Sequence, residues 1–153
     1  MYKYIMRLRF LALLPIVLLA SCGTPEESSS GYPEHNYEEV ADLMITYEQY
    51  FTISENEHFV YFFQDTCHSC QEIKNEVIDF ALNKYAEIYF VYATEEIPSH
   101  YTYEEINQSL GSNKIEDVFV RVTPQLTLIK DGKIEKNIIR NIYIEEELSH
   151  YRP

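Results

Sequence analysis

An apolar run that leads directly into a helical pattern restricts the fold of this chain more than any other feature. Residues 58–63, HFVYFF, are continuously apolar or aromatic, which is typical of a strand covered on both faces of a sheet. Residues 67–84 follow with an apolar stripe at helical spacing and no Gly or Pro, and a second apolar run, AEIYFVYA, occupies 86–93. Strand, helix and strand at these lengths predict two parallel strands joined by a crossover helix.

The remaining pattern predicts three further helices and one hairpin. Asp131-Gly132 stands between two apolar runs, which is a strong signal for a tight turn between paired strands. The predicted helices are Tyr37–Phe51 with Asn36 as N-cap, Tyr103–Leu110 ending near Gly111, and Tyr143–Tyr151, and the hairpin strands are 125–130 and 133–139. This element order predicts an α/β fold in which a central mixed β-sheet carries helices on both faces.

The N-terminus has the features of a targeting segment. Residues 1–9 carry three positive charges and no acid, and they run into the eleven-residue apolar stretch 10–20. Spanning the hydrocarbon core of a bilayer takes about 20 apolar residues, and Pro15 further weakens a spanning helix. We therefore expect residues 1–21 to be a signal peptide.

The end of this segment, Leu19-Ala20-Ser21-Cys22, resembles the bacterial lipobox, in which a small residue precedes a cysteine that is lipidated and becomes the mature N-terminus. The resemblance implies lipidation of Cys22 and a stable anchor on the extracytoplasmic face of a bacterial cell membrane. Residues 22–36 are polar and rich in Ser, Pro and Gly, which predicts a flexible tether before one domain at 37–153. An ordinary secretory signal with a stray cysteine, or an uncleaved anchor, is the alternative.

The charge balance excludes one class of partner. Lys and Arg number 12 against 25 Asp and Glu, which gives a formal net charge of −13. A nucleic-acid-binding protein needs clustered Lys and Arg to neutralise phosphates. We therefore expect no nucleic-acid partner.

A Cys-x-x-Cys pair, Cys67 and Cys70, lies where the first predicted strand meets its helix. At a helix start, free N–H groups and the helix dipole would stabilise a Cys67 thiolate, which is the nucleophile of disulfide exchange. Cys70 lies one turn later, within bridging reach but more shielded, so it can attack a mixed disulfide and release the product. We predict Cys67 as the nucleophile and Cys70 as the resolving thiol.

Two simpler interpretations of the pair remain open, a structural disulfide and half of a zinc site. A structural disulfide here would close a loop too short to remove much chain entropy. Zinc needs four ligands, and the candidate histidines are scattered singly at 35, 58, 100 and 150. We expect no metal and no cofactor besides the redox-active Cys67–Cys70 disulfide.

Three features together resemble the thioredoxin superfamily over nearly all of 37–151: the strand and motif FVYFFQDTCHSC, the strand after its helix, and VTPQLTL before the Asp-Gly hairpin. The resemblance implies a thioredoxin-like fold and a cis Pro124 that faces the cysteine pair. A cis Pro124 would hold the backbone of Thr123 beside Cys67, free to pair with an extended substrate segment. Thr123 and Pro124 are therefore expected to form the substrate-docking edge.

Some positions depart from the family pattern. Thr66 stands where typical thioredoxins have Trp before the first cysteine, and Tyr61 occupies the place of their buried acid. Proton transfer to the resolving thiol would then need Asp65, Glu72 or water. The motif and the proline are also farther apart than in minimal thioredoxins, so part of 95–120 is expected to be an insertion.

The residues around Cys67 are expected to tune its chemistry. A protonated His68 would stabilise the thiolate and raise the reduction potential, whereas nearby Asp65 would oppose it. His68-Ser69 is neither the Gly-Pro of thioredoxins nor the Pro-His of strong periplasmic oxidants. We expect His68, Ser69 and Asp65 to act as modulators; a solvent-exposed His68 without an electrostatic role is the alternative.

Motif and N-terminus together predict a membrane-anchored, extracytoplasmic thiol–disulfide oxidoreductase. Its partners would be extracytoplasmic protein thiols or disulfides and a further redox partner. The rival hypothesis is a non-catalytic thioredoxin-fold binding or accessory protein, for example one that serves peptide or bacteriocin export.

Overall fold

A computed structural model describes residues 31–94, 106–120 and 122–153. Its four strands form one sheet in the order β2-β1-β3-β4, with β1 parallel to β2 and the pairs β1–β3 and β3–β4 antiparallel. The strands are β1 (Glu57–Phe63), β2 (Ile88–Tyr92), β3 (Gln125–Lys130) and β4 (Lys133–Ile139), and the α-helices are α1 (His68–Leu82) and α2 (Asn141–Ser149). The predicted α/β fold with a central mixed sheet is confirmed.

Both faces of the sheet are buried, as the continuous apolar run in β1 predicts. On one face, Phe59 and Tyr61 pack with residues of α1 and α2 in a single core cluster. On the other face, Val60 and Phe62 pack in a second cluster with Tyr50 and with residues of the 106–120 segment. The two α-helices therefore lie on the same face as the 3₁₀ helix Tyr37–Leu43, and the 3₁₀ helices Tyr47–Gln49 and Ile115–Asp117 cover the opposite one.

The hairpin between β3 and β4 forms where the sequence predicts it. Asp131 and Gly132 form the turn, and both have positive φ, 50° and 70°. Gly adopts this backbone region without a steric cost and Asp tolerates it, which explains why the pair favours tight hairpins. The hairpin places the C-terminal end of β4 at the same edge of the sheet as the C-terminal end of β1.

The prediction of one helix over Tyr37–Phe51 is wrong. The segment contains two 3₁₀ helices, Tyr37–Leu43 and Tyr47–Gln49, with an extended stretch between them. In this stretch Met44 bridges to Phe90 at the outer edge of β2, and the Ile45 N–H donates to the Phe90 carbonyl at 2.9 Å. The chain crosses the sheet edge here, so its apolar residues serve both faces, which a single straight helix could not do.

Smaller differences concern the ends of the other predicted helices. The helix expected over 67–84 begins at His68, and the C-terminal helix comprises 141–149 instead of 143–151. Only a 3₁₀ helix, Ile106–Ser109, is found in the described part of the predicted helix Tyr103–Leu110; 95–105 lie outside the described residues. A further 3₁₀ helix comprises Ile115–Asp117.

Two residues that precede position 37, Tyr32 and His35, contact helix α1 of the domain. The Tyr32 hydroxyl donates to Glu76 Oε1 of α1 at 3.3 Å, and the His35 N–H donates to Asn75 Oδ1 at 2.9 Å. The predicted signal peptide, 1–21, and Cys22 lie outside the described residues. Within 31–94, 106–120 and 122–153, no helix has the length and apolar content to cross a membrane.

Candidate functional site

A short turn after β1 places the cysteine pair at the C-terminal edge of the sheet. The Cys67 N–H donates to the Gln64 carbonyl at 3.2 Å. The Gln64 side chain in turn donates to the Ala93 carbonyl, just after β2, at 2.7 Å. These contacts fix the turn to both parallel strands and thereby fix where α1 begins.

Cys67 and Cys70 form a disulfide at the start of α1, with their Cα atoms 5.2 Å apart. Cys67 is the N-cap residue of the helix, and its Sγ accepts a hydrogen bond from the Cys70 N–H at 3.1 Å. The Cys70 side chain is fully buried, whereas Cys67 is partly exposed. An external reactant therefore has access to Cys67 and not to Cys70.

Two features at the start of α1 favour a negative charge on Cys67 Sγ. The Cys70 N–H that points at it would become a charge-assisted donor to a thiolate. The helix dipole presents its positive end at the same place, and the first turn of α1 carries no acidic residue to oppose it. This is the environment in which cysteines become nucleophilic.

Thr123 and Pro124 lie beside the disulfide although they are more than 50 residues away in sequence. The Thr123–Pro124 peptide bond is cis, as the resemblance implied. Cys67 Sγ lies 3.2 Å from the Thr123 carbonyl oxygen. Pro124 is buried and Thr123 is partly exposed, so the structure brings the partly exposed Thr123 next to the partly exposed Cys67.

The predicted modulators lie on the rim of the site. The His68 side chain is 89% exposed, and its Nε2 lies 3.3 Å from Glu72 Oε1. Glu72 Oε2 accepts a 2.8 Å hydrogen bond from the Asn141 side chain at the start of α2. Ser69 is partly buried and Asp65 is exposed. A protonated His68 would therefore have a carboxylate as its immediate neighbour.

Tyr61 does not supply the acid that its position would hold in a typical thioredoxin. Its side chain is fully buried, and its hydroxyl lies near that of Tyr37 but makes no well-formed hydrogen bond within the described ranges. Burial, together with the nearby Tyr37 hydroxyl, raises the pKa of Tyr61 well above its ordinary value. The phenol therefore stays protonated at neutral pH and cannot serve as a base for Cys70.

The sequence analysis did not predict a cavity of about 430 Å³ next to this site. Aromatic rings of Tyr37, Phe63 and Tyr92 form part of its wall, and the charged residues of its lining come from three separate segments. The lining residues are Asn36, Tyr37, Glu38, Met44, Phe63, Asp65, Gln71, Lys74 and Tyr92. No local pattern in the sequence indicates the cavity, because it exists only once the 3₁₀ helix Tyr37–Leu43 packs beside α1.

The described part of the chain offers no metal site at this edge or elsewhere. It contains no group of three or more His, Cys, Asp or Glu side chains placed to hold an ion. The chemistry available here is that of the Cys67–Cys70 disulfide itself.

Comparisons with solved structures return thioredoxins. The chain is similar to thioredoxin f2 of Chlamydomonas reinhardtii, with 13% identity, a TM-score of 0.48 and alignment over 72% of this chain and 97% of that one. It is also similar to the thioredoxin of Plasmodium falciparum, with 13% identity, a TM-score of 0.48 and alignment over 71% of this chain and 98% of that one. A third similar structure is oxidised mitochondrial thioredoxin 3 of Saccharomyces cerevisiae, with 14% identity, a TM-score of 0.45 and alignment over 70% of this chain and 92% of that one. No protein-family model matches the chain, and no curated protein matches it.

The topology of the chain contains the arrangement that the sequence resemblance implied. A Cys-x-x-Cys pair caps the crossover helix between parallel strands, and a cis proline opens the antiparallel strand beside it.

Proposed function

We propose that this protein is a thiol–disulfide oxidoreductase that acts on protein thiols or disulfides, anchored by a lipid on the extracytoplasmic face of a bacterial membrane. The observation that carries the chemistry is the position of Cys67 Sγ. Cys67 is partly exposed and is the N-cap of α1, and its Sγ accepts the Cys70 N–H at 3.1 Å and lies 3.2 Å from the Thr123 carbonyl oxygen. The anchor and the location rest on the sequence around Cys22.

The reaction proceeds through one accessible sulfur. In the reduced protein, the Cys67 thiolate attacks a client disulfide, forms a mixed disulfide and expels the other client sulfur as a thiolate. Cys70 then loses its proton and attacks Cys67 Sγ, which reforms the Cys67–Cys70 disulfide and releases the second client thiol. The client gains two electrons and the cysteine pair loses two; run in reverse, the steps insert a disulfide.

Thr123 would align the client for this attack. Its partly exposed backbone can pair with an extended segment as an added strand. Cys67 Sγ lies only 3.2 Å from the Thr123 carbonyl oxygen. A client cysteine on the paired segment would therefore lie near Cys67 Sγ.

The three cysteines of the chain allow a matched test. The full chain is purified in detergent, and insulin reduction is followed with dithiothreitol as electron donor. Cys67→Ser should reduce turnover to the uncatalysed rate. Cys70→Ser, reduced beforehand and freed of dithiothreitol, should retain the first step and accumulate a mixed disulfide with insulin that mass spectrometry detects. Cys22→Ser should reduce insulin like the wild type but should be absent from the membrane fraction of cells.

Turnover that survives Cys67→Ser would refute the mechanism. A wild-type protein that neither reduces insulin nor alkylates with iodoacetamide below the ordinary thiol pKa of about 8.5 would instead favour the non-catalytic binding module. A Cys22→Ser protein that remains membrane-bound would refute the lipid anchor without affecting the chemistry.

A further inference from the structure

The cavity beside the disulfide is open to solvent at the active-site edge and has no role in the proposed chemistry. It lies between the 3₁₀ helix Tyr37–Leu43, the first turns of α1 and the ends of β1 and β2. Thr123 lies on β3's side of Cys67, whereas the cavity lies on β2's side, since the sheet order is β2-β1-β3-β4. A client cysteine that meets Cys67 would therefore have Thr123 on one side and the cavity on the other.

The lining of the cavity favours a cation with an extended apolar stem. Glu38 and Asp65 contribute two negative charges and Lys74 one positive charge, so the three charges sum to −1. Tyr37 and Phe63 stack on each other with their ring centroids 3.8 Å apart, and the exposed Tyr92 completes the aromatic wall. The face of an aromatic ring attracts a guanidinium or ammonium group. Arginine and lysine side chains combine such a head group with an apolar stem.

The distance from the reactive sulfur suits a residue close to the client cysteine. Asp65 is two residues from Cys67, so their Cα atoms are at most about 7.6 Å apart. An extended client rises roughly 3.3 Å per residue, so two residues cover about 6.6 Å. A client side chain within two positions of the cysteine can therefore reach Asp65, and of these the one two positions away points to the same face of an extended segment as the cysteine.

We infer that this cavity is a specificity site for a basic side chain, arginine or lysine, two residues from the reactive cysteine of a client polypeptide. The inference rests on the proposed function and adds a substrate preference to it. Glu38 and Asp65 attract the basic group, the rings pack against its stem, and Lys74 limits how strongly it binds.

The test uses synthetic peptides whose single cysteine is disulfide-bonded to thionitrobenzoate. The Cys67 thiolate of the pre-reduced full chain attacks the peptide sulfur and expels thionitrobenzoate, because the thiol of lower pKa leaves faster. Cys70 then attacks Cys67 Sγ and releases the peptide thiol. The measured quantity is the ratio of second-order rate constants for a peptide with Arg two residues from the cysteine, on either side, and for the matched Gln peptide. The ratio corrects for any change in the reactivity of Cys67 itself.

Three variants separate the cavity from the general acidity of the protein. Glu38→Gln should lower the Arg-to-Gln ratio about two- to fivefold, the range expected for one solvent-accessible ion pair, and Lys74→Gln should raise it by a similar factor. Glu135→Gln removes the same charge from an exposed position on β4 outside the cavity and should leave the ratio at the wild-type value. Added salt should reduce the wild-type ratio.

A wild-type ratio of one, or equal ratios in all three variants, would overturn the specificity site while leaving the oxidoreductase intact. Absence of thionitrobenzoate release from every peptide would overturn the oxidoreductase, and the inference with it.

Discussion

Arg152 joins both ends of the described chain to α1, and its removal should measurably weaken the fold. Its guanidinium Nη1 donates to Glu76 Oε1 at 2.6 Å, and Nη2 donates to the Glu76 carbonyl at 3.3 Å. The same guanidinium bonds to the Tyr32 hydroxyl and lies over the Tyr32 ring, 4.7 Å from its centroid. The perturbation is Arg152→Met, which keeps an apolar stem and removes the charge and all of these donors.

The expected loss follows from how little of the ion pair is in water. The side chains of Arg152 and Glu76 are 17% and 11% exposed. Breaking a fully buried pair costs about 3–5 kcal/mol because one charge remains without a partner. Because both side chains keep some exposure, the cost for this pair should lie at the lower end of that range. We therefore expect Arg152→Met to lose about 3 kcal/mol in the free energy of unfolding. For a chain of this length that corresponds to a fall in Tm of roughly 6–12 °C.

The assay is urea unfolding of the full chain in detergent, with oxidised cysteines and constant pH. Lys130→Met is the matched control, because Lys130 pairs with Glu57 at 3.0 Å but both side chains are exposed. The free energy of unfolding of the Lys130→Met protein should hardly change. The double variant Arg152→Met with Glu76→Gln should recover part of the loss, because no unpaired charge is then buried. A single variant as stable as the Lys130 control, or a double variant no better than the single one, would refute the reasoning.

Two further predictions concern buried polar groups. Burial lowers the pKa of His58 below its ordinary value, so the unfolded chain binds more protons as the pH falls through about 6.5. The wild type should therefore lose more unfolding free energy between pH 7.5 and 5.5 than His58→Phe does, as measured by urea titration; equal losses would contradict this. Tyr61→Phe removes a buried hydroxyl that makes no well-formed hydrogen bond in the described structure, so its unfolding free energy should equal or exceed that of the wild type, by up to about 1 kcal/mol. A clearly less stable Tyr61→Phe protein would show that the hydroxyl is bonded.

The sequence was sufficient to predict those parts of the site that depend on local patterns. The continuous apolar β1, the helix that follows it and the Asp131-Gly132 turn each follow from side chains close together in the chain. Together they place Cys67 at the end of a strand and at the start of a helix, which is its position in the structure. The cis Pro124 is different, since only the resemblance to thioredoxins predicted it.

Elements that depend on distant pairing could not be predicted. The spacing of apolar residues over 37–51 fits a helix, but the backbone of Met44 and Ile45 bonds instead to the outer edge of β2, which the sequence does not show to be available. The contact between Tyr32 and Arg152 spans 120 residues, and the cavity collects residues from three segments. In each case the decisive partner lies far away in sequence, where neither periodicity nor motif spacing carries information.

The unequal burial of the two sulfurs determines the kinetic scheme that such a protein can follow. Because Cys70 is fully buried, an electron donor and a client must both react through Cys67. The two cannot dock at once, so turnover must be of the ping-pong type, in which each partner leaves before the next one binds. In an oxidoreductase of this kind, the electron donor would react only with the oxidised pair and the client only with the reduced pair, so raising the concentration of one partner would speed only its own half of the cycle.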